Sequence, residues 1–168
     1  PSDRRPEAAL DLLPSQWASH REKNPEVMGL FEGSGQVETW LEEARGLIRT
    51  YFTLENPQRL EPAERELYVE VPVEREGEQG QLTLRGYVDR LDVAPADGAL
   101  RVVDYKTGRA PGEAFESRAL FQMKFYAVAL LRSRGVQPTR LRLIYLADGQ
   151  LLDYSPDLDE LLRFEKTL

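Results

Sequence analysis

Cysteine is absent from the 168 residues, so neither a disulfide framework nor a thiolate metal site can form within this chain. Positive charge is short as well: 22 Lys and Arg stand against 29 Asp and Glu, a net charge of −7. That argues against a broad electrostatic nucleic-acid binder. It leaves room for an enzyme that meets phosphates through bound cations, because a carboxylate cluster that holds metal makes a chain acidic. No apolar run reaches the ~20 residues that a membrane-spanning helix needs. No signal-peptide pattern opens the chain, and cytoplasmic residence without membrane partners is the expectation. Histidine is nearly absent too, with His20 alone in the polar segment QWASHREKN.

What remains is ordinary for a globular protein: 41% hydrophobic and 30% charged residues, in a chain long enough for one domain with a core. The first residue is Pro1, and SPDLDELLRFEKTL reads as a helix still running at Leu168, with Ser155 as N-cap and Pro156 at N1. Leu158, Leu161, Leu162 and Phe164 form its apolar stripe. A piece of a longer protein is expected from these two ends.

The hydrophobic period divides the chain. Residues 7–53 read helical, punctuated by Pro14 and Pro25. The clearest helix is 36–52, where Val37, Trp40, Leu41, Ala44, Leu47, Ile48, Tyr51 and Phe52 recur at helical spacing. From residue 64 the period becomes two. Strands are expected at 66–74, with Leu67, Val69, Val71 and Val73 on one face, and at 81–93 and 100–106, joined by the turns REGEQG and APADGA. A long helix at 117–135 follows, capped by Ser117 and ended by Gly135. A hairpin of 139–147 and 150–155 is expected around a type I′ turn at Asp148–Gly149. The order predicts an α+β fold with a mixed central sheet flanked by helices. Residues 1–58 form an N-terminal helical segment packing on a core of 59–168.

The stretch VVDYKTG, residues 102–108, carries the chemistry. Alternation puts Asp104 and Lys106 on one face of its strand. Pairing the strands about the 94–99 turn places Asp89, in GYVDRLD, opposite roughly Asp104. Like charges opposite one another destabilise a strand pair unless compensated. A hard divalent cation, Mg²⁺ or Mn²⁺, is the natural compensation. Lys106 beside them could orient or deprotonate water, or stabilise charge on a phosphate. Val102, Val103, Tyr87, Val88 and Leu91 mark these strands as buried, where unpaired carboxylates are expensive. Gln122 and Tyr126, four apart in QMKFY, share one helix face; they read either as incidental polar residues of that helix or as an amide and a phenol laid along bound nucleic acid.

GYVDRLD, VVDYKTG and the Q-x-x-x-Y spacing together resemble the RecB-family exonuclease branch of the PD-(D/E)XK nuclease superfamily, over roughly residues 60–168. The resemblance implies a restriction-endonuclease-like core and Mg²⁺- or Mn²⁺-dependent phosphodiester hydrolysis in DNA, working with a helicase in repair or recombination. It makes Asp89, Asp104 and the carbonyl of Tyr105 metal ligands, Lys106 the catalytic lysine, and Gln122 and Tyr126 supports for the site and DNA. The proline of the "PD" signature is missing, since Val88 precedes Asp89. Relatives usually add a histidine from an N-terminal helix, a role for which His20 is the available residue, although it reads as a surface side chain. Many also hold an iron–sulfur cluster through cysteines, which this chain could gain only from a longer protein.

Other residues divide between function and surface. Arg109 and Lys124 lie near the motifs and are expected to contact phosphates. Arg132, Arg134, Arg140 and Arg142 are expected to be solvated. Glu70 reads as a solvated strand charge, and Arg90 with Asp92 as a surface ion pair worth little. Gly86 and Gly108 serve backbone geometry. Two rival readings stand beside the nuclease: a catalytically incomplete DNA-binding scaffold of the same fold, and a plain α+β interaction domain.

Overall fold

The computed structural model describes residues 3–74 and 81–168, with the backbone alone at 73, 74, 81, 82 and 113–116. The expected turn at 75–80 and the inward placement of Val73 lie outside the described residues. The chain divides into two units, residues 1–60 with 146–149, and residues 61–145 with 150–168.

The first unit is helical. Helix α1 spans Pro6–Lys23 and α2 spans Ser34–Leu54, with short 3₁₀ turns at Pro25–Leu30 and Pro57–Arg59. Pro14 does not punctuate α1 but lies inside it. It forfeits one backbone bond, to the carbonyl of Leu10, and the exposed helix tolerates the loss. Trp17, Phe31 and Trp40 join the helices edge to face, with the two Trp ring centroids 4.9 Å apart. Along the expected stripe of α2 only Val37 is buried, while Trp40 is 41% exposed.

The second unit is a five-stranded sheet in the order β1-β2-β3-β4-β5, comprising Glu64–Glu74, Gln81–Val93, Leu100–Lys106, Arg140–Tyr145 and Gln150–Tyr154. Strands β1 to β3 form the expected antiparallel meander. Strand β4 runs parallel to β3, so the connection must cross over, and α3, Glu113–Arg134, provides the crossover. The sheet is mixed and flanked by helices, as the pattern of periods predicted.

Helix α3 explains the core. Residues 126–130 are buried in succession, a run that an amphipathic surface helix would not show. The sheet lies against one side of α3. The short helix α4, Leu158–Glu165, closes the other through fully buried Leu161, a Phe121–Phe164 edge contact at 5.0 Å and the Arg132–Glu165 ion pair. Leu158 and Leu162 of the expected α4 stripe stay 45% and 36% exposed.

Two helix starts differ from the sequence reading. Helix α3 begins at Glu113 after Gly112, so Ser117 lies within its second turn. Helix α4 is capped by Asp157, whose side chain accepts the Glu160 amide at 2.7 Å, rather than by Ser155. A carboxylate satisfies the amide and also complements the positive helix end. The β4–β5 hairpin is not type I′, which needs positive φ at both central residues. Residues 146–149 form the loop between the pair Tyr145↔Gln150, and of Asp148 and Gly149 only Gly149 has positive φ, +68°. Among the described residues no helix is long and apolar enough to cross a membrane.

Candidate active site

The β2–β3 turn sets the geometry. Ala94 N–H bonds the Ala99 carbonyl, Gly98 supplies φ +73°, and Asp97 Oδ1 accepts the Ala99 amide. From it the strands pair Val93↔Leu100 through Arg90↔Val103. One step further along the same register are Asp89 and Asp104, the opposition that the turn position predicted. Their carboxylates are close enough that Asp89 helps to raise the pKa of Asp104.

Regular alternation breaks at this point. Val88 and Leu91, three apart, are both fully buried in one core cluster, although strict alternation would send them to opposite faces. Across the ladder, between the pairs Arg65↔Arg90 and Leu67↔Val88, stands Glu66 at φ +49°. It is the only non-glycine residue with positive φ among those described. An acidic side chain in that region is uncommon, and such strain concentrates where a strand must re-aim its side chains.

Asp104 is 2% exposed. Its Oδ2 is buried and receives no hydrogen bond of ordinary geometry, only an ion pair with Lys106 Nζ at 2.6 Å. Burial pushes its pKa above the usual carboxylate range, Lys106 opposes the shift, and Asp89 adds to it. Asp89 Oδ2 accepts the main-chain N–H of Tyr105 at 2.8 Å. Lys106 Nζ also donates to Gln122 Oε1 at 2.8 Å, which orients the amide so that its Nε2 donates to the Tyr126 hydroxyl at 2.7 Å. Burial raises the Tyr126 pKa and the two aspartates add to the effect, so its O–H stays protonated at neutral pH. Asp104, Lys106, Gln122 and Tyr126 thus form one continuous polar chain from strand to helix. Gly86 lets α3 approach: a Cβ there would meet Tyr126 Cε1 at 3.1 Å and Phe125 Cε1 at 3.3 Å.

The structure brings together Asp89, Asp104, Lys106, Gln122 and Tyr126. Lys124 belongs elsewhere, held by Glu160 at 2.7 Å and lying over the Tyr154 ring. Two residues along a helix point about 200° apart, so Lys124 leaves the side that carries Gln122. Arg109 is exposed in the loop after β3. His20, in the first unit, is exposed, stacks on Trp17 and lies with Nδ1 3.4 Å from Asn24 Nδ2. The expected solvated arginines make ion pairs: Arg132 with Glu165, Arg134 with Glu64, and Arg140 and Arg142 with Asp153.

Two expectations fail at the site's edges. Tyr87 is 58% exposed and lies against Tyr68, whose hydroxyl donates to Glu70. Arg90 and Asp92 are not a weak surface pair. Arg90 is 3% exposed, its Nε lies 3.1 Å from Asp92 Oδ1, and its Nη1 donates to the Tyr105 hydroxyl. Arg101 also binds Asp92, at 2.8 Å. Alternation correctly sent Arg90 away from Asp89 but could not show that this face is covered as well. Arg90 stands directly across from fully buried Val103, and that opposition was the available signal.

Among the described residues no three or more His, Cys, Asp or Glu side chains gather as a metal site. The donor set still suits Mg²⁺ or Mn²⁺. Such ions are commonly held by one or two carboxylates with water and substrate phosphates completing the shell, and the buried Asp104 Oδ2 lacks a hydrogen-bond donor.

Comparison with known proteins bears on this arrangement. The gene 69 protein of Mycobacterium phage D29 is 42% identical over 72 residues, 43% of this chain and 22% of that protein's length. The crystal structure of SSO0001 covers 89% of this chain and 67% of its own, at 15% identity and a TM-score of 0.45, too distant to carry an argument. The sequence model of the PD-(D/E)XK nucleases matches residues 1–163. A match of that extent leaves only the last few residues outside it, and the chain belongs to the PD-(D/E)XK nuclease superfamily.

Proposed function

We propose that this chain is the nuclease module of a RecB-type exonuclease that hydrolyses phosphodiester bonds in DNA, working with a helicase in repair or recombination. The observation that carries the reading is the buried Asp104 carboxylate, set beside Asp89 and in contact with a lysine. A carboxylate is kept in such a place against its desolvation penalty when a cation is to share it.

Asp89, Asp104 and the carbonyl of Tyr105 would hold Mg²⁺ or Mn²⁺, which when bound supplies Lewis acidity at the scissile phosphate. The protein's own groups do the rest. Lys106 Nζ, fixed between Asp104 Oδ2 and Gln122 Oε1, donates a remaining N–H where negative charge grows in the transition state. Gln122 holds that lysine in place through its carbonyl and holds Tyr126 through its amide. Tyr126, buried and kept protonated, supports the site by accepting the Gln122 amide from behind. Water attacks phosphorus and gives up a proton to solvent, the P–O bond to the leaving oxygen breaks, and that oxygen leaves with a proton from solvent. Arg109, in the exposed loop after β3, adds a phosphate contact.

The test is cleavage of end-labelled linear and covalently closed DNA with Mg²⁺, Mn²⁺ or chelator, comparing the wild type with Asp104→Asn. Metal-dependent loss of linear DNA alone, abolished by the substitution, is expected. Retention of DNA without cleavage would instead make the chain a scaffold of nuclease fold.

A further inference from the structure

The register brings the two carboxylates opposite one another, but the pairs of the β2–β3 ladder stop short of them. The β2–β3 ladder pairs Arg90↔Val103 and the residues toward the turn. Asp89 and Asp104 stand one step past that last pair. Asp89 lies within β2 and residues 104–106 stay paired with β4, so only the seam between β2 and β3 is unpaired here; a like charge and the strained backbone of Glu66 give that seam reason to open.

Tyr105 ties it down from both sides. Its main-chain N–H bonds the Asp89 carboxylate at 2.8 Å. Its side chain points away from Asp104 and Lys106 and meets Arg90, the residue after Asp89. The Arg90 guanidinium donates to the Tyr105 hydroxyl and lies 5.5 Å from the ring centroid. Arg90 is anchored in turn by Asp92, which Arg101 of β3 also grips through two donors at 2.9 and 2.8 Å. The cluster thus crosses from β2 to β3 and back, immediately behind the acids.

We propose that Arg90 and Tyr105 act as a positioning clamp that fixes the Asp89–Asp104 spacing beyond the end of the regular ladder. Neither residue touches substrate in this role. The clamp acts by holding residue 105, and with it the Asp89 carboxylate that the residue-105 amide binds. Its consequence for metal and catalysis rests on the nuclease reading; its consequence for the backbone does not.

The test compares wild type, Tyr105→Phe and Arg90→Lys. Tyr105→Phe keeps the ring and the amide and removes one hydroxyl, so it is the variant expected to fold. Amide hydrogen exchange is followed residue by residue without metal, and Mn²⁺ is titrated calorimetrically. Exchange at the residue-105 amide should rise about five- to tenfold in Tyr105→Phe, while the amides of residues 91–93 and 100–103 stay as in wild type. A purely structural loss would raise exchange along the whole ladder. Mn²⁺ affinity should fall in step, by about tenfold. Unchanged protection at residue 105, or a uniform loss along both strands, overturns the clamp. Selective loss at residue 105 in a protein whose wild type takes up no Mn²⁺ leaves the clamp standing and removes the nuclease reading instead.

Discussion

The two faces of the β2–β3 strand pair treat charge in opposite ways. On one face, buried Asp104 meets the Lys106 ammonium, and the neighbouring Asp89 accepts only the Tyr105 amide among the described contacts. On the other, Asp92 is served by two arginines, and Arg90 is buried against Tyr105. The residues alternate along the same strands, so the difference is not one of burial or backbone. It lies in the balance of charge. A face with a surplus of acid is the less stable of the two without a cation; a balanced face holds its shape. Under the proposed function the site uses both, back to back.

The contrast can be broken most sharply at Asp104. Asp104→Asn should reduce cleavage at least ~100-fold, as expected when a group facing transition-state charge is lost. The same substitution should raise the melting temperature of the metal-free protein at pH 7–8. The folded-state pKa of Asp104 lies above its unfolded value. Its contribution therefore favours folding at low pH and is lost as pH rises through the folded pKa, above which the buried acid is ionised. Calorimetric melts across pH should show the gain shrinking as the carboxylate range is approached. A constant gain would place the effect elsewhere.

Asp92→Ala, on the balanced face, should do the reverse. It strands buried Arg90 and should lower stability by about 3 kcal/mol, read by urea denaturation. Little change would mean that Arg90 finds other partners. Between these extremes, Gln122→Met keeps the volume but cuts the link from Lys106 to Tyr126. We expect kcat to fall about tenfold with stability nearly unchanged, since a misplaced catalytic group loses rate faster than the fold loses energy. The smallest effect is expected at Gly86→Ala, where the new methyl presses on Tyr126 and Phe125. A loss of about 1 kcal/mol in thermal unfolding is the expected outcome.

Much of the site was legible because strand chemistry is local. A turn centred near residues 96–97 sets the register, and the register sets Asp89 near Asp104. The spacing of Gln122 and Tyr126 put them on one face of α3 for equally local reasons. Capping was less legible: Ser155 and Asp157 are both good N-caps, and the choice fell to the one whose carboxylate reaches Glu160 N–H. Pro14 was misread because a helix with an exposed surface can spare one hydrogen bond. Tyr87 and Arg90 were misread together. Both lie in a strand whose pattern shows alternation but not which faces are covered, and the alternation itself breaks between Val88 and Leu91.

The sequence by itself determined the order of elements, the mixed sheet and which residues come together at the candidate site, since period, turn residues and helical spacing act over a few positions. Only the tertiary structure decided which charges are buried, that burial raises the Asp104 pKa, and that Arg90 and Tyr105 meet behind the acids. Those properties depend on what covers each face of the sheet, and desolvation is set by neighbours distant in the chain.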